Sequence, residues 1–379
     1  MKKILIFSLA YYPRHVSGAE AAIKEITDRT LDIEFHMVTL RFDMTDAPQE
    51  KIGNVLVHRV GSGSYLSKIL FPLLAARAAV RLDRAHRHDA LWAMMTYMLL
   101  PVALARLFGL HAPYVLTLQD GDPYKKVFGR ARIIPFLPLI DWGFRHAAIV
   151  QSISNYLATW PAMRGSRAPV VLVHNGANPR DLKETADPAA VEALKRTLGK
   201  KAGEVWLVNT ARLEHQKAQD DVIRALPLLP PNVKFLVVGG GSDEAKLKAL
   251  VKTLTLEDRV IFTGQVSREQ VTLYRKASDI FVAPSRSEGL GNAFLSAMAS
   301  RLPVVATREG GLADFVSNEV AWTVRRDCPE QIADAVKEIV ANPARAQEKA
   351  VRAREMVEAD YDWETIAKEM RQKVFSKVL

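Results

Sequence analysis

Short runs of β-branched and aliphatic residues alternate with helically spaced apolar stretches along almost the entire chain. In the first half the runs are KILIFSLA, EFHMVTL, VLVHRV, ALWAMM, YVLTLQD, AIVQSI and VVLVHNG. Such alternation predicts parallel sheets assembled from βαβ units. Residues 179–203 are polar and charged and carry no strand pattern, which predicts a linker with a surface helix. The alternation then restarts with VWLVNTA, VKFLVVGGG, VIFTGQV, DIFVAPS and PVVAT. An α/β chain of two Rossmann-like, doubly wound domains follows, with boundaries at 1–180 and 181–360. The last segment, WETIAKEMRQKVFSKVL within 361–379, has apolar residues at helical spacing and is placed to cross back to the first domain. Ligands of such sheets sit beyond the strands' carboxyl ends, so the expected site is a cleft that the two domains face.

Length and composition narrow the class without naming a chemistry. A chain of 379 residues exceeds one ordinary core and favours two domains. Cys328 is the only cysteine, which excludes an intrachain disulfide and a thiolate zinc cluster and makes a reducing cytoplasm the simplest home. The start, MKKILIFSLAYYPRH, resembles a signal peptide but has a minimal apolar run and no small-residue cleavage site, so it reads as a buried first strand. Residues 90–105 are uncharged but fall short of a span of about 20 residues, and Pro101 interrupts them; a buried strand plus helix is expected.

Charge changes the picture more. Residues 1–180 hold 22 Lys and Arg against 13 Asp and Glu, while the rest of the chain holds 30 against 29. The basic excess therefore belongs to the first domain. There SYLSKILFPLLAARAAVRLDRAHRH and KKVFGRARIIPFLPLIDWGFRH mix cations with Leu, Ile, Phe and Trp, as segments lying on anionic membranes do. Core-packed helices with solvated basic faces remain the other reading. No nucleic-acid reader motif is present, so nucleic acid is not an expected partner.

The most informative local pattern is SRSEGLGNAFLSAMA, a strand-to-helix turn with one carboxylate, two glycines and an asparagine. Gly289 and Gly291 permit close backbone approach, and the free amides around Leu290, Gly291, Asn292 and Ala293 present the positive end of a helix. A phosphate or diphosphate is the natural guest. Glu288 would be repelled by phosphate and must face hydroxyl donors such as those of a sugar.

Together with SGAE, VHNGA, ARLEHQK and FTGQV, the stretch EGLGNAFLSAMASRLPVVAT resembles the family 4 glycosyltransferases, retaining enzymes of the GT-B fold that use nucleotide sugars. Each fragment alone is weak, but their order and spacing are specific. The resemblance implies that Glu288 binds donor-sugar hydroxyls and that Gly289 to Asn292 form the backbone turn around sugar and diphosphate, with the Ala293 amide beside them on the donor. It implies that Arg212 and Lys217 stabilise the diphosphate as charge develops on it. Gly18 then lets the first domain's backbone approach the donor phosphate, and Val266 meets the nucleobase through its backbone.

Two positions depart from the family pattern. Ser296 stands where relatives use a second glutamate for the ribose, a loss of about 1.5–3 kcal/mol if a charged hydrogen bond disappears. Gln119 stands where relatives usually have histidine, and it can bond a donor hydroxyl but cannot titrate. Asp120 and Asp122 in DGD either bind acceptor hydroxyls or cap their loop; they are not read as metal ligands, because enzymes of this kind generally need no metal. RAHRH, residues 84–88, is read as a helix end.

The resemblance implies a retaining transfer of a hexose-type sugar from a UDP- or GDP-sugar, without a cofactor, to a glycan or lipid-linked acceptor in cell-envelope synthesis. Its place is the cytoplasm, with a peripheral position on the inner face of the membrane left open. A dinucleotide-dependent oxidoreductase is disfavoured because the loop after the first strand lacks G-x-G-x-x-G. A non-catalytic sugar-nucleotide-binding subunit, favoured by Ser296 and Gln119, and a sugar-nucleotide epimerase stay as alternatives.

Overall fold

The computed structural model describes all residues except His15, Glu184 and Thr185. It divides into two compact units, residues 1–175 with 363–379, and residues 176–362.

The first unit holds an eight-stranded sheet made of β1 (Lys2–Phe7), β2 (Ile33–Leu40), β3 (Gln49–Ile52), β4 (Val55–Val60), β5 (Ala90–Met94), β6 (Tyr114–Leu118), β7 (Ile149–Ser152) and β8 (Val170–Leu172). Its order is β3-β4-β2-β1-β5-β6-β7-β8. All pairs are parallel except β3 with β4, which are joined through Gly53 and Asn54. Ile4 to Phe7 are fully buried, as a central parallel strand requires. The 22-residue helix α2 (Tyr65–His86) packs on β2 and β4. The uncharged stretch at 90–105 is β5 followed by the helix Leu99–Leu107. Among the described residues, no helix is long and apolar enough to cross a membrane.

The second unit holds β9 (Val205–Thr210), β10 (Val233–Val238), β11 (Val260–Gly264), β12 (Ile280–Ala283), β13 (Val304–Ala306) and β14 (Trp322–Thr323) in the order β11-β10-β9-β12-β13-β14, all parallel. In both sheets the strand order reverses beside the first strand of the unit, the arrangement of a doubly wound sheet. The polar segment after residue 178 forms two helices, Pro179–Leu182 and Pro188–Thr197. The shorter one is pinned by a buried ion pair between Asp181 and Arg275, with Ser300 Oγ donating to Asp181 Oδ1 at 3.0 Å.

The terminal segment is a helix over Trp363–Glu369 that continues as a wider turn, Met370–Val374, and a tight one, Phe375–Lys377. Phe375 lies against Trp92 and Phe35, with ring centroids 5.1 and 6.0 Å away, inside the first unit's core.

Candidate active site

Two loops at the carboxyl ends of β9 and β12 build the site in the second unit. Glu288 is only 7% exposed. Its Oε1 accepts a hydrogen bond from Lys217 Nζ at 2.6 Å and another from Ser285 Oγ at 3.0 Å. Its Oε2 accepts none from the described residues and so remains available to a ligand's hydroxyls.

Lys217 closes the single turn His215–Lys217, and Ala218 after it is buried in the left-handed region at φ 54°. That conformation costs a non-glycine residue about 1–3 kcal/mol and persists only where neighbours enforce it. Arg286 is the enforcing neighbour. Its guanidinium donates to Asp220 at 2.8 and 3.0 Å, to Asp221 at 2.9 Å, to Asp327 at 2.6 Å and to the His215 carbonyl at 2.9 Å. Its own amide donates to the Gln216 carbonyl. The Glu288 loop and the Lys217 turn are thus stapled together. Asp221 is pushed up to about 6 by burial, against the pull of Arg286, and its Oδ2 has no hydrogen-bond partner.

The turn after Glu288 runs into the helix Asn292–Ala299 through Gly291, at φ 108°. A Cβ at Gly291 would lie 2.6 Å from Leu312 Cδ2, so both conformation and space require glycine. The first amides with acceptors are Phe294 and Leu295, both bonding the Gly291 carbonyl. The N–H groups of Asn292 and Ala293 therefore point out of the helix start without acceptors among the described residues, an anion-binding arrangement. From the other side Gly310 and Gly311 press on the turn. A Cβ on Gly311 would stand 2.0 Å from the Gly289 carbonyl, and one on Gly310 2.3 Å from that of Glu288.

The other residues singled out in the sequence fall as follows. Arg212 is exposed, and its guanidinium makes no ion pair with the described residues. Leu290 is buried under the turn. Val266 is half-buried in the loop after β11. Ser296 is buried and its Oγ accepts from the Asn178 amide at 3.1 Å, so a hydroxyl in the glutamate's place secures the chain entering the second unit.

In the first unit, Gly18 is the opening residue of α1 (Gly18–Thr27). The SGAE stretch acts there as a cap, the Glu20 carboxylate accepting from the Ser17 amide at 2.6 Å. Gln119, after β6, makes a reciprocal pair with Asn175: its Oε1 accepts at 2.9 Å and its Nε2 donates at 3.3 Å. Asp120 is buried and its Oδ2 accepts from Thr96 Oγ1 at 2.9 Å; burial pushes its pKa up to about 6. Asp122 is half-buried and ion-paired with Lys126 and Arg130. Both aspartates thus brace their loop.

Arg286, Ser285, Gly310, Gly311 and Asn175 were not singled out in the sequence. The glycine pair two residues after PVVAT was a readable signal for a close approach; the many-fold carboxylate pairing of Arg286 had none, since its partners are scattered over a hundred positions.

A cavity of about 210 Å³ lies behind the Lys217 turn, lined by Glu214, Asp220 and Asp243 with His215, Arg224 and Lys246. Three carboxylates suit it poorly to a pyrophosphate, and Glu288 is not part of it.

Two α/β units on largely parallel sheets, with an acidic side chain buried beside an amide-bearing turn in the second, define the chain as a protein of the GT-B fold. Residues 190–357 match the family Glycosyl transferases group 1, and residues 19–176 match the Glycosyl transferase 4-like domain. The chain belongs to this glycosyltransferase family. It is 33% identical over 194 residues to a GDP-mannose-dependent alpha-(1-6)-phosphatidylinositol monomannoside mannosyltransferase of Mycobacterium tuberculosis, covering 48% of this chain and 50% of that protein. The chain thus spans about half the length of such curated relatives. It is 29% identical to the 2-deoxystreptamine glucosyltransferase of Streptomyces kanamyceticus, with 79% of each chain covered. In fold it is similar to Anabaena HepE in complex with UDP and glucose, with a TM-score of 0.82 at 22% identity over 99% of this chain and 100% of the other. Sucrose-phosphate synthase from Thermosynechococcus elongatus gives a TM-score of 0.85 at 22% identity, covering 99% of both chains.

Proposed function

We propose that the protein transfers a hexose-type sugar from a UDP- or GDP-sugar to a glycan or lipid-linked acceptor, with retention at the anomeric carbon and without a metal. The carrying observation is the buried Glu288 carboxylate, bonded through one oxygen to Lys217 and open at the other, beside the unbonded amides of Asn292 and Ala293. The carboxylate takes sugar hydroxyls, while the amides, Lys217 and Arg212 take the diphosphate. The acceptor oxygen forms the new bond to the anomeric carbon on the face from which the diphosphate leaves. The bond from that carbon to the phosphate oxygen breaks, and the acceptor's proton passes to the departing diphosphate. Fixed N–H dipoles and cations stabilise the developing charge without reorganising, the largest single contribution in many enzymes. Val266, Gly289, Leu290, Gly291 and Ser296 shape the donor pocket in this reading, with Gly18 and Gln119 assigned to the donor by family resemblance.

The test is release of nucleoside diphosphate from individual sugar nucleotides in the presence of glycan and lipid-linked acceptors. Glu288→Gln keeps shape and removes charge; it is expected to lower kcat/KM by about 10- to 150-fold, the worth of about 1.5–3 kcal/mol for a charged hydrogen bond. Normal turnover in Glu288→Gln would end the assignment. A binding-only subunit is the second reading, favoured by Ser296 and Gln119, whose polar groups are spent on Asn178 and Asn175. Donor-induced thermal stabilisation with no diphosphate release under any acceptor would establish it.

A further inference from the structure

Four of the nine histidines gather in the first unit, at the amino-end side of the sheet and away from the carboxyl ends that carry Gln119 and Asp120. His36 on β2 is the centre: the ring centroids of His86, His88 and His58 lie 4.5, 5.0 and 5.6 Å from its own. His36 is 2% exposed and His88 7%. Glu34, two residues earlier on the same face of β2, brings its carboxylate to the group, with Lys3 Nζ 3.4 Å from the Oε1 that faces His36.

A chain of contacts links these groups. Asp83 Oδ1 lies 3.2 Å from His88 Nδ1, His88 Nε2 lies 3.1 Å from His36 Nδ1, and His36 Nε2 lies 2.9 Å from Glu34 Oε1. Three contacts each need one hydrogen between their heavy atoms. The carboxylates at both ends only accept, and two neutral imidazoles carry one N–H each. One contact is therefore left with two lone pairs facing each other. If Asp83 fixes His88 as its donor, the row of protons points toward Asp83, and the bare contact is His36 Nε2 against Glu34 Oε1. An imidazolium in this buried place pays desolvation. A metal cation satisfies both lone pairs at once.

The geometry supports this solution. Single ligand atoms of Glu34, His36 and His86 all lie within 4.8 Å of one another. His86 is the last residue of α2, half-buried, at a helix end where a side chain can swing by the ångström or so that closure requires. His58 Nε2 is buried nearby without a hydrogen-bond partner. We propose that Glu34, His36 and His86 bind one divalent transition-metal ion of the zinc class, with His88 and Asp83 orienting His36 from behind. Two imidazoles and a carboxylate suit Zn²⁺ and its neighbours over Mg²⁺ or Ca²⁺, which prefer all-oxygen shells. The Asp83–His88–His36 series is the outer-shell arrangement that fixes the tautomer of a ligating histidine. RAHRH is thus a helix end and, through His86 and His88, part of a site as well. The ion would join β2 to the end of α2, a structural or regulatory place, and takes no part in the proposed sugar transfer.

The test uses the full-length protein stripped with a chelator and titrated with Zn²⁺ by calorimetry, with Co²⁺ as a visible-absorbance reporter of the ligand field. One equivalent is expected to bind, and to raise the melting temperature. His86→Gln and Glu34→Gln, both at partly exposed positions, are expected to weaken that equivalent by at least about 10-fold. His146→Gln, an exposed histidine elsewhere in the same unit, serves as control and is expected to bind as wild type. Uptake of no equivalent, or binding by His86→Gln and Glu34→Gln as tight as wild type, would overturn the site whether or not sugar transfer is observed.

Discussion

At the scale of single residues, Asp120 shows how burial converts into a pH dependence. Its pKa rises to about 6 from an ordinary 3.8, with desolvation outweighing the hydrogen bonds from Thr96. A carboxyl raised in this way binds more protons folded than unfolded between about pH 4 and 6. Its contribution to stability is therefore present at low pH and lost as pH rises through 6. About two units correspond to roughly 3 kcal/mol as an order of magnitude. His58 and His88, held near 4 by burial, act in the opposite sense over the same window, so wild type alone would not resolve the effect. The difference between wild type and Asp120→Asn does. Asparagine keeps an acceptor for Thr96 and removes the charge. The variant should match wild type near pH 4 and exceed it by up to about 3 kcal/mol at pH 8 in urea denaturation. A difference independent of pH would show that Asp120 keeps an ordinary pKa.

At the scale of elements, Arg286 couples two loops. Its ties to Asp220, Asp221, Asp327 and the His215 carbonyl hold the turn that presents Lys217 to Glu288. Lysine keeps the charge but has no planar fork and cannot reproduce those bonds. Arg286→Lys is expected to lower the melting temperature and to reduce kcat/KM for sugar transfer by about 10-fold or more, through Lys217 rather than by any contact with substrate. A variant with wild-type kinetics would show that the turn holds its shape without Arg286. The same elements explain what the sequence could tell. VWLVNTA, DIFVAPS and PVVAT were legible because strands buried on both faces read as unbroken apolar runs. Glu288, Gly291 and Lys217 stood out because spacing around such strands is local. Strand β3, QEKI, was not: its burial alternates between exposed and intermediate at a sheet edge, and Ile52 is its single apolar residue. Strand β14 is two residues long. The partners of Arg286 and the histidine group around His36 depend on contacts between distant segments, which periodicity does not encode.

At the scale of the whole molecule, charge and connectivity are both uneven. The basic excess of the first half coincides with exposed Tyr65, Leu66, Ile69 and Leu70 at the start of α2, beside Lys68. We infer a membrane-surface role for this stretch. Binding to vesicles containing anionic lipid, reduced by salt and by a Leu66→Ser, Ile69→Ser double variant, is the expected result. Equal binding to neutral vesicles would contradict it. Connectivity gives the sharper prediction. The first unit is completed by the chain's last 17 residues, of which Trp363, Ile366, Met370, Val374 and Phe375 are at most 2% exposed. At about 1.5–3 kcal/mol for each large apolar side chain, their burial is comparable with the entire stability of a domain, about 5–15 kcal/mol. A chain ended after Asp362 therefore leaves the faces of Phe35 and Trp92 uncovered and should lose the first unit while the second, residues 176–362, keeps its own core. Hydrogen exchange should show rapid exchange throughout β1, β2 and β5 with protection retained in β9, β10 and β12. Persistent protection in β1 and β5 would mean that the eight-stranded sheet holds together without its returning segment.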